Sequence, residues 1–288
     1  MKLSLAHTLR HYDKKNIGKD ILAGLIIMAV SIPISMGYAL IAGLPAVYGL
    51  YGSVFPILVF ALLSTSPQFI FGVDAAPAAL IGSALLTLHV EAGSEEAMAV
   101  VPVLTFFVAM WLLAFSFMKA GKLVNYISAP VMGGFITGIC STIILMQVPK
   151  ILGGTAGTGE FFELAKHIGQ TAKHVNMPSI LLGVASLVIL LVAKKLVPKF
   201  PMAVVLMVAG ACYTRVGNVR ELGIQTLSKV ETGLPQWQIP DFSAVSIREA
   251  VTVSLSVAVV IMAETLLAEN NFAQKNGYRI DDNQEIFA

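Results

Sequence analysis

The sequence has little charge for its length. Lys, Arg, Asp and Glu together make up 12% of the 288 residues, whereas soluble globular domains hold roughly 25%. Hydrophobic residues account for 56% of the chain, and the mean hydropathy is +0.79. This composition excludes an ordinary soluble domain and indicates an integral membrane protein, with the lipid bilayer as its surroundings and no nucleic-acid partner.

Cysteines and clustered metal ligands are also scarce. The two cysteines, Cys140 and Cys212, stand alone in apolar stretches without CxxC or CxxxH spacing, so neither a disulfide framework nor a metal site is expected. The five histidines lie in polar segments. Because no nucleophile, metal or haem constellation is present, we expect no enzymatic activity, no catalytic residue and no cofactor.

Long apolar runs dominate what remains, and eight of them are candidates to cross a bilayer as helices. They predict an all-α polytopic membrane protein with a basic N-terminal cap at 1–19 and a transmembrane domain at 20–268. Residues 269–288 would begin the loop after the eighth segment. The eight windows cover 21–43, 46–63, 69–88, 98–118, 123–148, 178–193, 200–214 and 247–268.

Positive charges are unevenly distributed between the two predicted sides of the membrane. With a cytoplasmic N-terminus, twelve of the 19 Lys and Arg fall in inside segments and seven in outside segments. Because the cytoplasmic loops of membrane proteins carry the excess of Lys and Arg, this orientation is favoured. An even number of spans then returns the C-terminus to the cytoplasmic side of the cell membrane.

The run IPISMGYALIAGLPAVYGLY at 32–51 contains residues that interrupt a membrane helix. Pro33 removes a backbone donor and disturbs the helix about one turn earlier. In lipid, the freed carbonyl must find a partner or face a water-lined cavity. Broken helices of this kind are typical of transporters. Tyr38, five residues further on, has two open interpretations, a ligand contact and a packing residue.

Asp74 lies inside the third window, in QFIFGVDAAPAAL. The β-prone run from Phe69 to Val73 precedes it, and a helical pattern of small residues follows. A half-helix starting near Asp74 would place free backbone N–H groups and the positive helix end inside the membrane, which favours anion binding. Three roles stay open for Asp74: a helix N-cap, a group coupled to a cation or proton, and an exposed loop residue.

Glu264 lies in the eighth window, in SLSVAVVIMAETLLAEN. An ionised carboxylate at mid-membrane costs ~2.5 kcal/mol or more, so such residues usually face a cavity, pair with a cation or proton, or line an ion path. We therefore predict that Glu264 couples transport to H⁺ or Na⁺. The alternative, a residue near the helix end that reaches the lipid headgroups, fits Glu269 better.

Two blocks of the sequence resemble the SulP sulfate-permease family. The second block, AETLLAENNFAQKNGYRIDDNQEIFA at 263–288, is similar to the family's Glu-Ser-Leu-Leu helix and the Gly-Tyr, Asp and Asn-Gln-Glu-Leu segment after it. The first is similar to the family's Pro-Gln-Ser-Met-Ala-Tyr-Ala, Gly-Leu-Pro-Pro-Val-Tyr-Gly-Leu-Tyr, Phe-Pro and Gly-Thr-Ser elements. The residues that carry it are Pro33, Ser35 to Ala39, Gly43 to Pro45, Val47 to Tyr51, Phe55, Pro56, Thr65 and Ser66.

The resemblance implies a uracil-permease-like fold of two inverted repeats of seven segments. This chain would hold the first repeat and the eighth helix, with a short strand and a half-helix at segment three. It also implies a homodimer, and a substrate held between the half-helices of segments three and ten. Carried onto this sequence, the substrate site comprises Tyr38, Gly72, Val73, Asp74, Ala75 and Ala76, and Glu264 is the ion-coupling residue.

The function implied by the resemblance is secondary active transport of a small anion by alternating access. Ile34 stands where the family usually has Gln, Val73 stands where a Gly-Pro is common, and Asp74 adds negative charge beside the implied anion site. These changes favour bicarbonate, a dicarboxylate, or a substrate bound with its own proton or cation over plain sulfate. The alternatives are a nucleobase permease of the same fold, an anion channel and an electromotile membrane protein.

The resemblance also places half of the implied binding site outside the 288 residues. Small-residue faces suited to helix contacts would then be left without partners. We therefore expect the 288-residue chain, reconstituted alone in proteoliposomes, to take up no anion, as measured with labelled sulfate and bicarbonate. Uptake above that of empty liposomes would contradict this expectation.

Overall fold

The computed structural model describes residues 12–288 except 125–128, 156, 158–160, 198–199, 201, 220, 227–232 and 236–238. Residues 1–11 of the predicted N-terminal cap lie outside the described part. Regular secondary structure in the described part is helical, as predicted. After a 3₁₀ turn at Lys14–Asn16, the helices are α1 (Ile17–Ile41), α2 (Ala46–Gly52), α3 (Phe55–Leu63), α4 (Ala75–Thr87), α5 (Glu95–Phe117), α6 (Gly121–Val124), α7 (Ala129–Ile151), α8 (Phe161–Thr171), α9 (Met177–Leu196), α10 (Met202–Val216), α11 (Ile247–Asn276) and α12 (Asp282–Phe287).

Every predicted apolar window contains a helix. The window 46–63 is divided into α2 and α3, because Pro56 lies in the first turn of α3, where a missing N–H is tolerated. Among the described residues, three apolar helical stretches are shorter than a full span: Ala75–Thr87, Cys140–Ile151 within α7, and Met202–Val216. Five described stretches are long and apolar enough to cross a membrane: Lys14–Ile41, Ala46–Leu63, Glu95–Phe117, Met177–Leu196 and Ile247–Asn276.

The predicted strand at segment three does not form. Residues 69–74 belong to no helix, strand or bridge, and Asp74 has an extended backbone. A strand requires a hydrogen-bonded neighbour, and no other strand occurs in the part of the chain that is described. The half-helix predicted beside it does form, since α4 begins at Ala75 directly after the extended residue Asp74.

The chain divides into two compact units. The first contains residues 1–14, 35–138 and 231–288, and the second contains residues 15–34 and 139–230. The division therefore falls within α1 and within α7. All of the residues predicted for the substrate and ion sites belong to the first unit.

Packing in the first unit centres on α5 and α11, which lie against each other, with α4 also on α11 and α12 on α5. Their contact surfaces carry small and medium apolar residues that are almost fully buried. Trp111 adds a polar contact, since its indole Nε1–H donates to the Val251 carbonyl at 3.1 Å. The buried set comprises Val100, Val103 and Leu104 on α5 with Ala250, Val257 and Ala258 on α11.

Two glycines allow helix backbones to touch the C-terminal half of α1. A Cβ atom added at Gly49 on α2 would lie 2.0 Å from the Ser35 carbonyl oxygen, and one at Gly82 on α4 would lie 2.3 Å from the Ile41 carbonyl oxygen. Small residues allow membrane helices to approach this closely. These contacts hold α2 and α4 against the part of α1 that carries Tyr38.

The second unit includes α8, α9 and α10, and α10 packs on α9. Asn176 caps α9, because its Oδ1 accepts from the Ser179 N–H at 2.8 Å. The same side chain donates from Nδ2 to the Leu222 carbonyl at 2.8 Å, which ties the loop after α10 to the start of α9. Large apolar side chains of α9 are exposed, as expected of a helix that faces lipid.

We predict that Gly49→Ala and Gly82→Ala each lower the melting temperature in detergent. The added methyl groups collide with backbone carbonyls, and overpacking of this kind costs ~1–3 kcal/mol. The readout is the monodisperse fraction on size-exclusion chromatography after heating. The control is Gly210→Ala on α10, where nothing lies within 4 Å of the added Cβ. Equal melting temperatures for the three variants would contradict the packing argument.

Candidate functional site

A cavity of about 600 Å³ opens in the first unit beside the start of α4. Its walls come from the C-terminal half of α1, from α2, from residues 69–74 before α4, and from α4, α5 and α11. Five of the predicted site residues line it: Tyr38, Gly72, Val73, Asp74 and Glu264. A larger cavity of about 1170 Å³ lies in the second unit, and its lining contains none of them.

Ala75 and Ala76 do not line the cavity, although both were predicted to. They form the first turn of α4, and Ala75 is only 2% exposed. The prediction took a continuous run of residues from the motif, but a helical turn directs successive side chains to different faces. The next α4 residues that reach the cavity are Pro77 and Ala78.

Asp74 is the N-cap of α4. Its backbone is extended, with φ −120° and ψ 154°, and its Oδ1 accepts from the Ala75 N–H at 2.6 Å. Of the three roles left open by the sequence, the capping role is therefore the one that the geometry shows. Pro77 has no N–H, so the cap and the proline together leave the Ala76 N–H as the principal first-turn donor.

Glu264 reaches the same cavity from α11. Both of its carboxyl oxygens are buried, and no donor among the described residues forms a hydrogen bond with either of them. The polar group that acts on it is the carboxyl of Asp74. Tyr38 also lies within the electrostatic reach of Asp74. The cavity therefore brings together three predicted residues that are distant in sequence.

The cavity wall is acidic and mainly apolar. Among the described lining residues there is no Lys, Arg or His, and the neutral polar side chains include Thr105 and Thr265. Neither threonine was predicted. Thr265 follows Glu264 directly, but Thr105 comes from a helix whose sequence shows no polar pattern, so only packing places it here.

A second polar cluster lies at the far end of α11, where sequence reasoning placed a headgroup contact. Glu269 is 0% exposed and does not face the surface. Its neighbours are Glu285 and Asp282 of α12. Glu285 in turn accepts hydrogen bonds from Ser64 and Thr65. The two sequence blocks that carry the family resemblance therefore meet in space.

This arrangement defines a multi-pass helical membrane protein with a half-helix and an acidic cavity in its first unit. Its sequence matches the model of the Sulfate permease family over residues 17–288. The chain belongs to that family.

Named relatives agree with this assignment. A Mycobacterium tuberculosis protein described as a probable sulfate transporter is 28% identical over 280 residues, which cover 97% of this chain and 50% of the relative. The sulfate transporter of Bos taurus is 28% identical over 324 residues, covering 99% of this chain and 44% of the relative. The chain thus spans about half the length of these curated relatives.

Solved structures show the same fold. The structure of SLC26A9 superimposes with a TM-score of 0.82 at 26% identity, covering 97% of this chain and 47% of that one. The transmembrane domain of the cyanobacterial bicarbonate transporter BicA gives a TM-score of 0.77 at 19% identity, covering 96% and 70%. The second likeness is one of fold alone.

We predict that Asp74→Ala lowers the melting temperature while Asp74→Asn does not. Alanine removes the acceptor for the Ala75 N–H, and losing an N-cap costs ~1 kcal/mol. Asparagine keeps an oxygen acceptor and still caps. Thermal unfolding in detergent compares the two variants with the parent chain, and equal losses would show that the charge of Asp74, not its cap, stabilises the fold.

Proposed function

We propose that this chain forms the substrate-binding part of a secondary active transporter for a small anion of the sulfate, bicarbonate or dicarboxylate class. The observation that carries the proposal is the cavity in which Glu264 faces Asp74 at the start of a half-helix. Family membership and the printed functions of the relatives support it. Movement of this part against the rest of the transporter would give alternating access.

Coupling to H⁺ or Na⁺ follows from the cost of burying charge. Glu264 has no donor for either oxygen among the described residues, and its neighbour Asp74 is also an acid. Two close carboxyl groups cannot both ionise without a cation or a shared proton. A bound proton or Na⁺ would remove that repulsion. If the proton or Na⁺ entered the cavity from one side of the membrane and left on the other, its gradient would drive substrate movement.

The substrate class follows from the walls of the cavity. Tyr38, Thr105 and Thr265 provide neutral polar side chains beside Asp74 and Glu264, and no basic side chain is found among the described lining residues. An anion would therefore bind weakly unless a cation or proton entered with it. A volume of about 600 Å³ admits a small oxyanion or dicarboxylate with its water.

The remaining proposals concern the membrane setting. The apolar helices support a multi-pass membrane protein, and the Lys and Arg distribution supports the cell membrane with both termini cytoplasmic. A homodimer is proposed from the family resemblance. Cross-linking in native membranes and cysteine accessibility at the termini test these two points.

We predict that Glu264→Gln abolishes gradient-driven uptake while leaving exchange of substrate measurable. Glutamine keeps the size and polarity of Glu264 but cannot exchange a proton or bind Na⁺ through a charge. The product of the native gene is reconstituted, and labelled sulfate, bicarbonate and dicarboxylate uptake is measured with and without H⁺ or Na⁺ gradients.

The matched control is Glu249→Gln, an exposed acid in the first turn of the same helix. It should keep wild-type gradient dependence. If Glu264→Gln keeps it too, Glu264 is not the coupling residue. Competition by uracil but by no anion would instead favour a nucleobase permease.

A further inference from the structure

A short C-terminal segment, Tyr278–Ala288, is fastened to the turn that follows α3. We name this segment the latch. Gly277, at φ +72°, ends α11 in the left-handed conformation and lets the chain turn back. Several hydrogen bonds hold the latch to other parts of the chain. Gln284 Nε2–H donates to the Leu63 carbonyl at 2.6 Å, and the Asp281 N–H donates to Thr65 Oγ1 at 3.1 Å. Ser116 Oγ–H donates to the Asn283 carbonyl at 2.7 Å, and the Tyr278 and Ser66 hydroxyls lie 3.3 Å apart.

Apolar packing also holds the latch. Ile286 is 9% exposed and packs with Leu266 and Leu267 of α11. Gly121 allows the backbone of α6 to meet Asp282, because a Cβ added there would lie 2.8 Å from the Asp282 Cβ. The latch is therefore anchored even without its charged groups.

Glu285 is the centre of the polar contacts and is 3% exposed. Its Oε2 accepts from Ser64 Oγ–H at 2.7 Å, and its Oε1 accepts from the Thr65 N–H at 2.6 Å and from the Thr65 hydroxyl. The Glu285 carboxyl group therefore accepts three hydrogen bonds from the residues that follow α3.

Glu269 has the opposite surroundings. It is 0% exposed, and neither oxygen has a donor among the described residues. The groups that act on it are the carboxyls of Glu285 and Asp282. Because a buried carboxylate without a donor is strongly unfavourable, Glu269 is stable here when it carries a proton and donates it to Glu285.

We propose that Glu269 and Glu285 form a buried proton-binding site that fastens the latch. One proton is shared by the two carboxyls, with Glu269 as the donor and Glu285 as the charged acceptor. This site is separate from the cavity that contains Glu264 and does not depend on the transported substrate.

No Lys, Arg or His among the described residues is one of the groups that act on Glu269. The described helices α3 and α4 contain no charged residue, and the acids of α5, Glu95 and Glu96, lie in its first turn, at the end away from Ser116. Lys122 of α6 is exposed. The acids that face Glu269 are thus Glu285 and Asp282, and Asp282 accepts from Asn270 Nδ2 at 3.1 Å.

The direction of the pH effect follows from proton counting. The fastened latch holds a proton on the pair, whereas a released latch leaves both carboxyls in water, where they are ionised at neutral pH. The fastened state therefore binds more protons, so it becomes less stable as pH rises. For one proton, the equilibrium constant for closing the latch falls by up to about tenfold per pH unit.

The test is hydrogen–deuterium exchange of the whole chain in lipid nanodiscs between pH 5.5 and 9.5, corrected for intrinsic amide exchange. We expect protection of the amides at 281–288 to fall by at least tenfold across this range. In Glu269→Gln, the side-chain amide donates to Glu285 at every pH, so protection should change by less than twofold. Glu249→Gln should retain the wild-type slope.

Three results would overturn the proposal. They are pH-independent protection in the wild-type chain, an unchanged slope in Glu269→Gln, and recovery of protection at pH 9.5 on adding Na⁺ in place of choline, which would indicate a cation site. If Glu269→Gln is not monodisperse, Glu285→Gln serves instead, since it also replaces the acid pair with one amide and one carboxyl and should remove the slope.

Discussion

A carboxyl group that cannot reach water must find a donor, a cation or a proton, and this requirement organises the first unit around α11. Two acids on that helix, Glu264 and Glu269, have no donor among the described residues, and each faces another acid from a different part of the chain. Burying an unpaired carboxylate costs several kcal/mol. This is the physical basis of the proposals that a proton or cation binds at Glu264 and that a proton binds at Glu269.

The second constraint is that backbone groups in an apolar medium must be satisfied within the protein. The break before α4 shows how this is met. Asp74 accepts the Ala75 N–H, and Pro77 removes one donor of the first turn altogether. The same arrangement leaves few donors for an anion. This supports the proposal that the anion enters together with a cation or proton.

Much of the fold was accessible from sequence. The apolar windows, the interruption at Asp74 and the cost of placing Glu264 in a membrane each rest on local chemistry that a single chain displays. The strand expected at 69–73 is absent from the described residues, because β-propensity describes a segment while a strand also needs a neighbour. A headgroup contact was expected to fit Glu269, which directly follows the eighth apolar window, but the return of the chain at Gly277 brings Glu285 and Asp282 against it.

The sequence by itself determined that this is an all-helical membrane protein of the Sulfate permease family, and that Tyr38, Asp74 and Glu264 are its chemically unusual residues. These are properties of composition and local pattern. Only the tertiary structure decided which of them share a cavity, that Ala75 and Ala76 are not among the residues lining it, and that Glu285 bonds the residues after α3. Such contacts join residues up to 221 positions apart, and they depend on how helices pack against one another, which no local pattern specifies.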